Sequence, residues 1–253
     1  MSDADTKSPK TLKARPIVLL MCSCAAIALA AGALAAQTSE AQGRVSGTAR
    51  FEGTPPAATA LKMAADPVCV REAKDTRSEA IIVADGGALQ NVFVYVKDGL
   101  GARTYPPPST AVVLDQRGCR YTPHVFGVQV GQPVEIVNSD PTLHNVHALP
   151  KTNDEFNFGQ PVQGMRARRT FTKAEVMVPV RCDVHSWMNA YAGVVTHPFH
   201  AVTKADGSFD IKGLPPGTYT LDAWHERLGT DTQTITIDGK KDATVTFVFR
   251  PRS

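Results

Sequence analysis

Residues 128–137, VQVGQPVEIV, contain two short runs in which apolar and polar side chains alternate, separated by a glycine and a proline. Such alternation is typical of β-strands, and glycine or proline between two runs indicates a turn. The same pattern recurs at residues 92–96 (VFVYV), 111–114 (AVVL), 175–180 (EVMVPV), 218–224 (TYTLDAW), 234–237 (TITI) and 243–249 (ATVTFVF). No stretch after residue 36 keeps a helical apolar period, so the sequence predicts an all-β fold of sandwiches or barrels.

The composition is that of an ordinary globular protein, and it limits the classes of partner. A chain of 253 residues is long enough for two compact domains, and two is the number that we expect. The formal charge of +3 comes from 27 basic and 24 acidic residues spread along the chain. No basic stripe suited to a phosphate backbone is present, so we expect no nucleic acid among the partners.

The N-terminal 36 residues differ from the rest of the chain. Basic residues at positions 7, 10, 13 and 15 precede an apolar run over residues 17–36 that ends in small side chains. This layout predicts a signal peptide over residues 1–36, followed by a linker over residues 37–42. The alternative is an uncleaved membrane anchor over residues 17–36, because about 20 apolar residues span a bilayer. Either way the remaining chain is expected outside the cytoplasm, in the periplasm or an equivalent compartment, with no membrane span unless that anchor is kept.

Three cysteines, Cys69, Cys119 and Cys182, follow this segment. Disulfides persist in exported proteins, and an odd number of cysteines leaves one for another role. Cys182 lies three residues before a histidine and six before a methionine, whereas neither other cysteine has a full set of ligand-type neighbours at such spacing. The pattern predicts a Cys69–Cys119 disulfide, and the alternative is that both remain buried thiols.

The residues around Cys182 are those of a metal site. In the run 182–188 (CDVHSWM), Cys182, His185 and Met188 recur at intervals of three after a predicted strand, so one short loop can direct them to one point. A second imidazole, His144, also follows a predicted strand. Two histidines, one cysteine and a weak axial methionine are the ligand set of a blue-copper electron-transfer site. Two alternatives stay open: a structural zinc site, and a cysteine and methionine that only fill the core.

Residues 110–196 resemble plastocyanin and amicyanin, of the cupredoxin family. The run 122–148 (TPHVFGVQVGQPVEIVNSDPTLHNVHA) matches their two strands and the loop to His-Asn-Val, and the Cys-x2-His-x2-Met loop has amicyanin's spacing. The resemblance implies a Greek-key sandwich and one copper ion that cycles between Cu(I) and Cu(II) as an electron carrier between redox partner proteins. The copper ligands that it implies are His144, Cys182, His185 and Met188. It also implies that Asn145 ties the histidine strand to the cysteine loop, and that His185, with Trp187 nearby, is the electron port at the surface.

Residues 203–229, TKADGSFDIKGLPPGTYTLDAWHERLG, resemble the carboxypeptidase regulatory-like domain, a transthyretin-like β-sandwich, in the DG-x-F and L-PPG-x-Y-x-L runs. That family opens with a Gly-x-Val-x-Gly strand, which residues 43–47 match far upstream. The resemblance therefore suggests a split sandwich over residues 43–109 and 197–253, with the cupredoxin domain of residues 110–196 inserted. Insertion at an exposed loop is well tolerated. A tandem arrangement, in which residues 43–100 add strands to the cupredoxin domain, is the alternative.

Several classes of function are disfavoured by the sequence. Copper oxidases need His-x-His pairs, and hydrolases need motifs such as Gly-x-Ser-x-Gly; neither occurs, so we expect no enzyme activity. The alternatives to an electron carrier are a copper carrier or buffer with the same ligands, and an adhesion or scaffold protein with a secondary copper site. The sequence assigns no role to the remaining histidines, His124, His147, His197, His200 and His225.

Overall fold

The computed structural model of the protein describes residues 42–239 and 241–251. The predicted signal segment, residues 1–36, lies outside them. Among the residues that are described, no helix is long and apolar enough to cross a membrane.

The described part of the chain is almost entirely β-structure. The strands are β1 (Gly43–Phe51), β2 (Val83–Ala84), β3 (Ala88–Leu89), β4 (Phe93–Asp98), β5 (Val112–Gln116), β6 (Tyr121–Thr122), β7 (Val125–Gln129), β8 (Pro133–Asn138), β9 (His144–Ala148), β10 (Phe156–Gln160), β11 (Arg166–Thr170), β12 (Glu175–Arg181), β13 (Asn189–Val195), β14 (His200–Val202), β15 (Ser208–Leu214), β16 (Gly217–His225), β17 (Gly229–Ile237) and β18 (Ala243–Phe249). One short α-helix, α1, spans Pro67–Glu72, and a 3-10 turn spans Asp85–Gly87. Every run assigned to a strand from the sequence overlaps one of these strands, so the all-β prediction is confirmed.

The strands form four sheets. Sheet 1 contains β1, β2, β3, β15 and β18, and sheet 2 has the order β14-β4-β16-β17. Sheet 3 has the order β10-β9-β12-β13-β7, and sheet 4 has the order β11-β8-β5-β6. Two of the pairings within sheets 3 and 4, β13 with β7 and β5 with β8, are parallel, so the chain crosses between these sheets as it does in Greek-key sandwiches. Sheets 1 and 2 draw strands from both ends of the described chain, whereas sheets 3 and 4 lie wholly between Val112 and Val195.

Two apolar cores make two sandwiches. Sandwich 1 consists of sheets 1 and 2, whose inward residues, such as Leu221 and Phe247, share one buried cluster. Sandwich 2 consists of sheets 3 and 4, with Leu114 and Val178 in a second cluster. Burial of each such side chain is worth about 1.5 to 3 kcal/mol, so these clusters are the main source of stability for both sandwiches.

A third, smaller cluster joins the sandwiches face to face. Along β13, Ala192 and Val194 point into the core of sandwich 2, whereas Tyr191 and Val195 point to the opposite face, as the strand period of two requires. There they meet Phe93 of sheet 2. The Phe93 ring lies so close to Gly193 that a Cβ on the glycine would come within 2.4 Å of it. Glycine at this position therefore permits the close approach of the two sheets.

A long connection between β1 and β2, which we call the strap (residues 59–78), crosses to sandwich 2. Leu61, Met63 and Cys69 of the strap are part of the core of sandwich 2. Within the predicted range 43–109, this segment therefore packs on sandwich 2 and not on sandwich 1. The apolar side chains of the strap are buried against sheets 3 and 4. The end of the strap is held by Arg120, whose guanidinium donates to the Asp75 carbonyl at 2.9 Å.

Helix α1 lies within the strap and begins at a well-formed N-cap. Asp66 accepts hydrogen bonds at Oδ1 from the backbone N–H groups of Val68 (2.8 Å) and Cys69 (3.4 Å). Pro67 occupies the first helical position, where a missing N–H costs nothing. The helix is too short to be stable alone, so tertiary contacts hold it in place.

Candidate metal centre

The predicted ligands lie at one end of sandwich 2. Cys182 and His185 follow β12, and His144 is the first residue of β9. The loop between β12 and β13 is tight: the Met188 N–H donates to the His185 carbonyl at 2.9 Å, and the Cys182 N–H donates to the Met188 carbonyl at 3.1 Å. This turn directs the cysteine and histidine side chains inward.

Three ligand atoms meet in a buried position. The Nδ1 atoms of His144 and His185 lie 3.1 Å apart, and the Cys182 Sγ lies 3.8 Å from the His185 Nδ1. All ligand atoms of the three residues lie within 4.8 Å of one another, and the three side chains are buried. With bonds of about 2.0 Å to nitrogen and about 2.3 Å to sulfur, one ion can join two nitrogens up to about 4.0 Å apart and a nitrogen and sulfur up to about 4.3 Å apart. The separations fit a single metal ion.

The cysteine is prepared to act as a thiolate. The backbone N–H groups of Asn145 and His185 each donate to the Cys182 Sγ at 3.4 Å. Burial acts to raise the pKa of Cys182, but hydrogen bonds from the His144 and His185 rings and from these two N–H groups outweigh it and lower the pKa from 9.0 to about 6. The deprotonated sulfur, which is the form that binds metals, therefore prevails at neutral pH.

Met188 ends the ligand loop and is fully buried within the core of sandwich 2. Its backbone closes the turn that carries Cys182 and His185. Its role as an axial ligand stays a prediction.

The distal nitrogen of His144 rests against a carboxylate from its own loop. His144 Nε2 donates to the Asp140 Oδ2 at 2.9 Å. Asp140 also accepts from the backbone N–H groups of Gly118 (2.7 Å) and Cys119 (2.8 Å). Burial opposes the His144 cation, but the Asp140 and Cys182 contacts prevail and raise the pKa of His144. Burial acts to raise the pKa of Asp140, but the hydrogen bonds from His144 and from the Cys119 and Gly118 N–H groups together outweigh it and lower the pKa.

The distal nitrogen of His185 also meets a carboxylate, which comes from the strap. His185 Nε2 donates to the Asp66 Oδ2 at 3.0 Å and lies 3.6 Å from the Cys69 Sγ. The residue is only 3% exposed. His185 was expected to reach the surface as an electron port. That expectation is wrong, because the strap covers the Nε2 edge of the ring. Trp187 is partly exposed, and its ring centroid lies 5.0 Å from that of His185.

A disulfide joins the strap to sandwich 2. Cys69 and Cys119 are bonded, which confirms the predicted pair, and Cys182 is the free cysteine among the described residues. Each half-cystine donates its backbone N–H to one of the two carboxylates, Cys69 to Asp66 and Cys119 to Asp140. The disulfide therefore connects the two carboxylates that support the ligand histidines, Asp66 for His185 and Asp140 for His144.

Asn145 makes the connection that the resemblance implies. Its Oδ1 accepts from the backbone N–H of Asp183 at 3.0 Å, which ties β9 to the residue after Cys182. Its Nδ2 donates to the Asn157 Oδ1 at 2.6 Å. Asn145 therefore orders the ligand loop through its side chain and the thiolate through its backbone.

The other histidines lie outside the centre and have partners of their own. His147 contacts Asp183 and Glu155, His124 contacts Glu226, and His197 donates to the Val96 carbonyl. Burial lowers the pKa of His200 and of His225 to about 4 in each case, so both are neutral at physiological pH. Within the described residues, every group of three side chains placed to hold a metal includes His144 or His185.

The sequence interpretation missed both carboxylates. Asp140 lies four residues before His144 and could have been found, because ligand histidines commonly donate their second N–H to a carboxylate. Asp66 lies 119 residues from His185, and the one local signal that it offers, an aspartate before a proline, is typical of a helix start. That signal says nothing about a metal.

Comparison with known proteins supports the resemblance to the carboxypeptidase regulatory-like domain. Residues 190–250 match the family model of the carboxypeptidase regulatory-like domain. The chain is similar to a reduced amicyanin variant (22% identity, TM-score 0.31, covering 40% of this chain and 97% of that chain) and to a purple cupredoxin from Nitrosopumilus maritimus (23%, 0.25, 30% and 81%).

A Cu-containing nitrite reductase from Thermus scotoductus SA-01 is also similar, with 26% identity and a TM-score of 0.29. That similarity covers 38% of this chain but only 24% of the reductase chain. A search of curated proteins found no match. Residues 190–250 thus match the carboxypeptidase regulatory-like domain, and the chain is similar to solved cupredoxins over up to about two fifths of its length.

Proposed function

We propose that this protein is a type 1 copper protein that carries single electrons between redox partner proteins. The proposal rests on one observation: the Cys182 sulfur and the Nδ1 atoms of His144 and His185 lie close together in a buried position. One thiolate and two imidazoles are the trigonal donor set of blue-copper sites. Met188, at the end of the same loop, would be the fourth ligand.

The chain's own residues would set the properties of the centre. When bound, copper supplies the one-electron exchange between Cu(I) and Cu(II). Cys182 would hold the copper through its thiolate, and the N–H groups of Asn145 and His185 withdraw charge from its sulfur. Burial of all three ligands excludes water, so their positions would change little between the two oxidation states.

The ligands are buried, and each ligand histidine is also held by a carboxylate. Both features favour an electron carrier over a copper buffer. Both histidines are held at the distal nitrogen by a carboxylate, and a metal enclosed in this way is expected to leave slowly. Measuring the copper off-rate and the rate of electron self-exchange separates the two functions. Slow release with fast self-exchange supports the carrier of electrons, whereas fast release to a chelator supports the buffer. No catalytic reaction is part of the proposal.

The proposed electron path leaves through Trp187. Its ring lies beside His185 and is partly exposed, and its Nε1 donates to the Cys119 carbonyl at 3.1 Å, which fixes it against the disulfide. A redox partner would meet this region through a small, weak interface, as is usual for electron-transfer encounters.

We further propose that the protein works outside the cytoplasm, with residues 110–196 as a copper domain inserted in the carboxypeptidase regulatory-like sandwich. The buried Cys69–Cys119 disulfide supports export, because such bonds persist in oxidising compartments. The contribution of strands to sheets 1 and 2 from both sides of this segment supports the insertion. Export by residues 1–36, or anchoring by residues 17–36, stays a prediction.

The decisive experiment is reconstitution of the purified, disulfide-intact protein with Cu(II). We expect an intense visible thiolate-to-copper absorption and a narrow copper hyperfine splitting in the electron paramagnetic resonance spectrum. Cys182→Ser should abolish both, because the hydroxyl cannot replace the thiolate. Ser186→Ala, in the same loop but exposed, is the matched control and should keep both signals. A colourless wild-type protein, or a Cys182→Ser variant that stays blue, contradicts the proposal.

A further inference from the structure

The strap places a carboxylate on a ligand histidine from outside the copper sandwich. Asp66 Oδ2 accepts from His185 Nε2 at 3.0 Å, and the two side chains are 19% and 3% exposed. This contact joins residues 119 positions apart in the sequence. It occupies the only ring nitrogen of His185 that does not face the metal position.

Asp66 is itself fixed from several directions. Its Oδ1 caps helix α1, and its Oδ2 accepts a second hydrogen bond from the Thr142 hydroxyl at 3.2 Å. Three residues later, Cys69 bonds covalently to Cys119 of sandwich 2. A side chain anchored by its helix, by the His144 loop and by a disulfide cannot move away from His185 without loss of several contacts.

We propose that Asp66 is a positioning residue for His185 and that its charge favours the oxidised state of the centre. The inference rests on the proposed function. In the neutral ring, a proton held on Nε2 leaves the lone pair on Nδ1, which is the tautomer that a metal at this position needs. Among the described residues, Asp66 has no lysine or arginine within ion-pair distance, so its negative charge acts on the centre without a competing cation.

A second aspartate close to the ligand loop provides a matched control. Asp183 follows Cys182 directly, but its carboxylate contacts His147, Asn157 and Arg181 and no ligand. Its charge is balanced by the guanidinium at 3.1 Å and screened by water. Loss of this charge should change the centre less than loss of the charge on Asp66.

The test compares Asp66→Asn, Asp66→Ala and Asp183→Asn in the full chain. Asparagine keeps a good N-cap and an oxygen that accepts from His185, so Asp66→Asn removes mainly the charge. We expect this variant to shift the Cu(I)/Cu(II) equilibrium at least tenfold toward Cu(I), a rise in reduction potential of about 59 mV for one electron. Asp183→Asn should shift the equilibrium by less than threefold.

A second measurement does not depend on copper. In the nuclear magnetic resonance spectrum of the metal-free protein, the hydrogen-bonded Nε2–H of His185 should be protected from exchange and give a resolved signal. Asp66→Ala should lose this signal, whereas Asp183→Asn should keep it.

The outcomes separate this inference from the proposed function. If the wild-type protein is not blue, the proposed function fails, and the Nε2–H signal still tests positioning. If the wild type is blue but Asp66→Asn shifts the potential no more than Asp183→Asn, the role of the charge is overturned. If Asp66→Ala keeps the His185 signal, positioning is overturned. Should Asp66→Ala fail to fold, the same signal is tested in Asp66→Asn, where positioning requires faster exchange than in the wild type.

Discussion

The two ligand histidines are supported in the same way but by different parts of the chain. His144 rests on Asp140, which lies four residues before it in the same loop. His185 rests on Asp66, which the strap brings from 119 residues away. Sandwich 2 therefore contains only one of the two supports, and the other depends on a segment that leaves sandwich 1 and returns. The comparison shows that the candidate copper centre is completed by the connection between the sandwiches.

The two supports also differ in burial. Each carboxylate accepts two backbone N–H groups besides a ring nitrogen, but the Asp140 side chain is 4% exposed and the Asp66 side chain is 19% exposed. Removal of a buried acceptor leaves its donors without a partner, and this costs more stability than removal of a partly hydrated acceptor. Asp140 is therefore expected to contribute more to stability, and Asp66 mainly to the properties of the metal.

Removal of the disulfide should have the largest effect, because it is the covalent link between the two supports. The double substitution Cys69→Ala and Cys119→Ala opens a loop with a sequence separation of 50 residues. We expect a loss of about 3 to 4 kcal/mol in the free energy of unfolding, since the unfolded chain regains the loop entropy. Denaturant unfolding of the metal-free protein measures the loss.

The control for this prediction is the wild-type protein unfolded under reducing conditions, which should lose a similar amount. An unchanged free energy of unfolding in the double variant would show that the strap is held by its apolar contacts alone. In that case the two supports of the centre are independent of each other.

The next effect compares the carboxylates directly. Asp140→Ala leaves the buried N–H of Cys119 and the part-buried N–H of Gly118 without their acceptor, so we expect a loss of about 2 to 3 kcal/mol. Asp66→Ala removes an N-cap, the contact from Thr142 and the contact from His185 at a more exposed position, and should cost about 1 to 2 kcal/mol. Denaturant unfolding of both metal-free variants tests the order. Asp154→Ala, at an exposed position, is the control, and equal losses for Asp66 and Asp140 would remove the distinction between them.

The all-β fold and the candidate ligands could be predicted from the sequence because both depend on local patterns. Alternating runs identified the strands, and the spacing of Cys182 and His185 put two of the ligands in one loop. The strap could not be predicted, because its apolar residues fit either sandwich equally well by composition. Leu61 and Met63 carry no period that distinguishes the core of sandwich 1 from that of sandwich 2. The expected exposure of His185 was also wrong because the position of the strap could not be predicted. No feature of the sequence near His185 indicates that Asp66 covers it.

A third carboxylate, Glu175, lies away from the ligands and can be compared with Asp66 and Asp140, because its hydrogen bonds involve no ligand. Glu175 begins β12, roughly 20 Å along the strand from Cys182, and accepts hydrogen bonds from the backbone of residues 151–153 and the Thr152 hydroxyl. Burial acts to raise the pKa of Glu175, but these bonds prevail and lower the pKa from 4.5 to about 2. A group whose pKa is lower in the folded than in the unfolded state contributes stability above the unfolded pKa, and loses it as the pH falls.

We therefore expect the Glu175 contribution to be complete above about pH 4.5 and lost between about pH 4.5 and about pH 2. Glu175→Gln should cost about 1 to 2 kcal/mol at pH 7, because solvent screening reduces the value of a half-buried group, and the variant should lose less stability on acidification. Unfolding measured as a function of pH tests this. The reduction potential of the copper-loaded protein should not change, in contrast to that of Asp66→Asn. A shifted potential in Glu175→Gln would show that loss of any carboxylate in sandwich 2 disturbs the centre, and the distinction between Glu175 and Asp66 would be overturned.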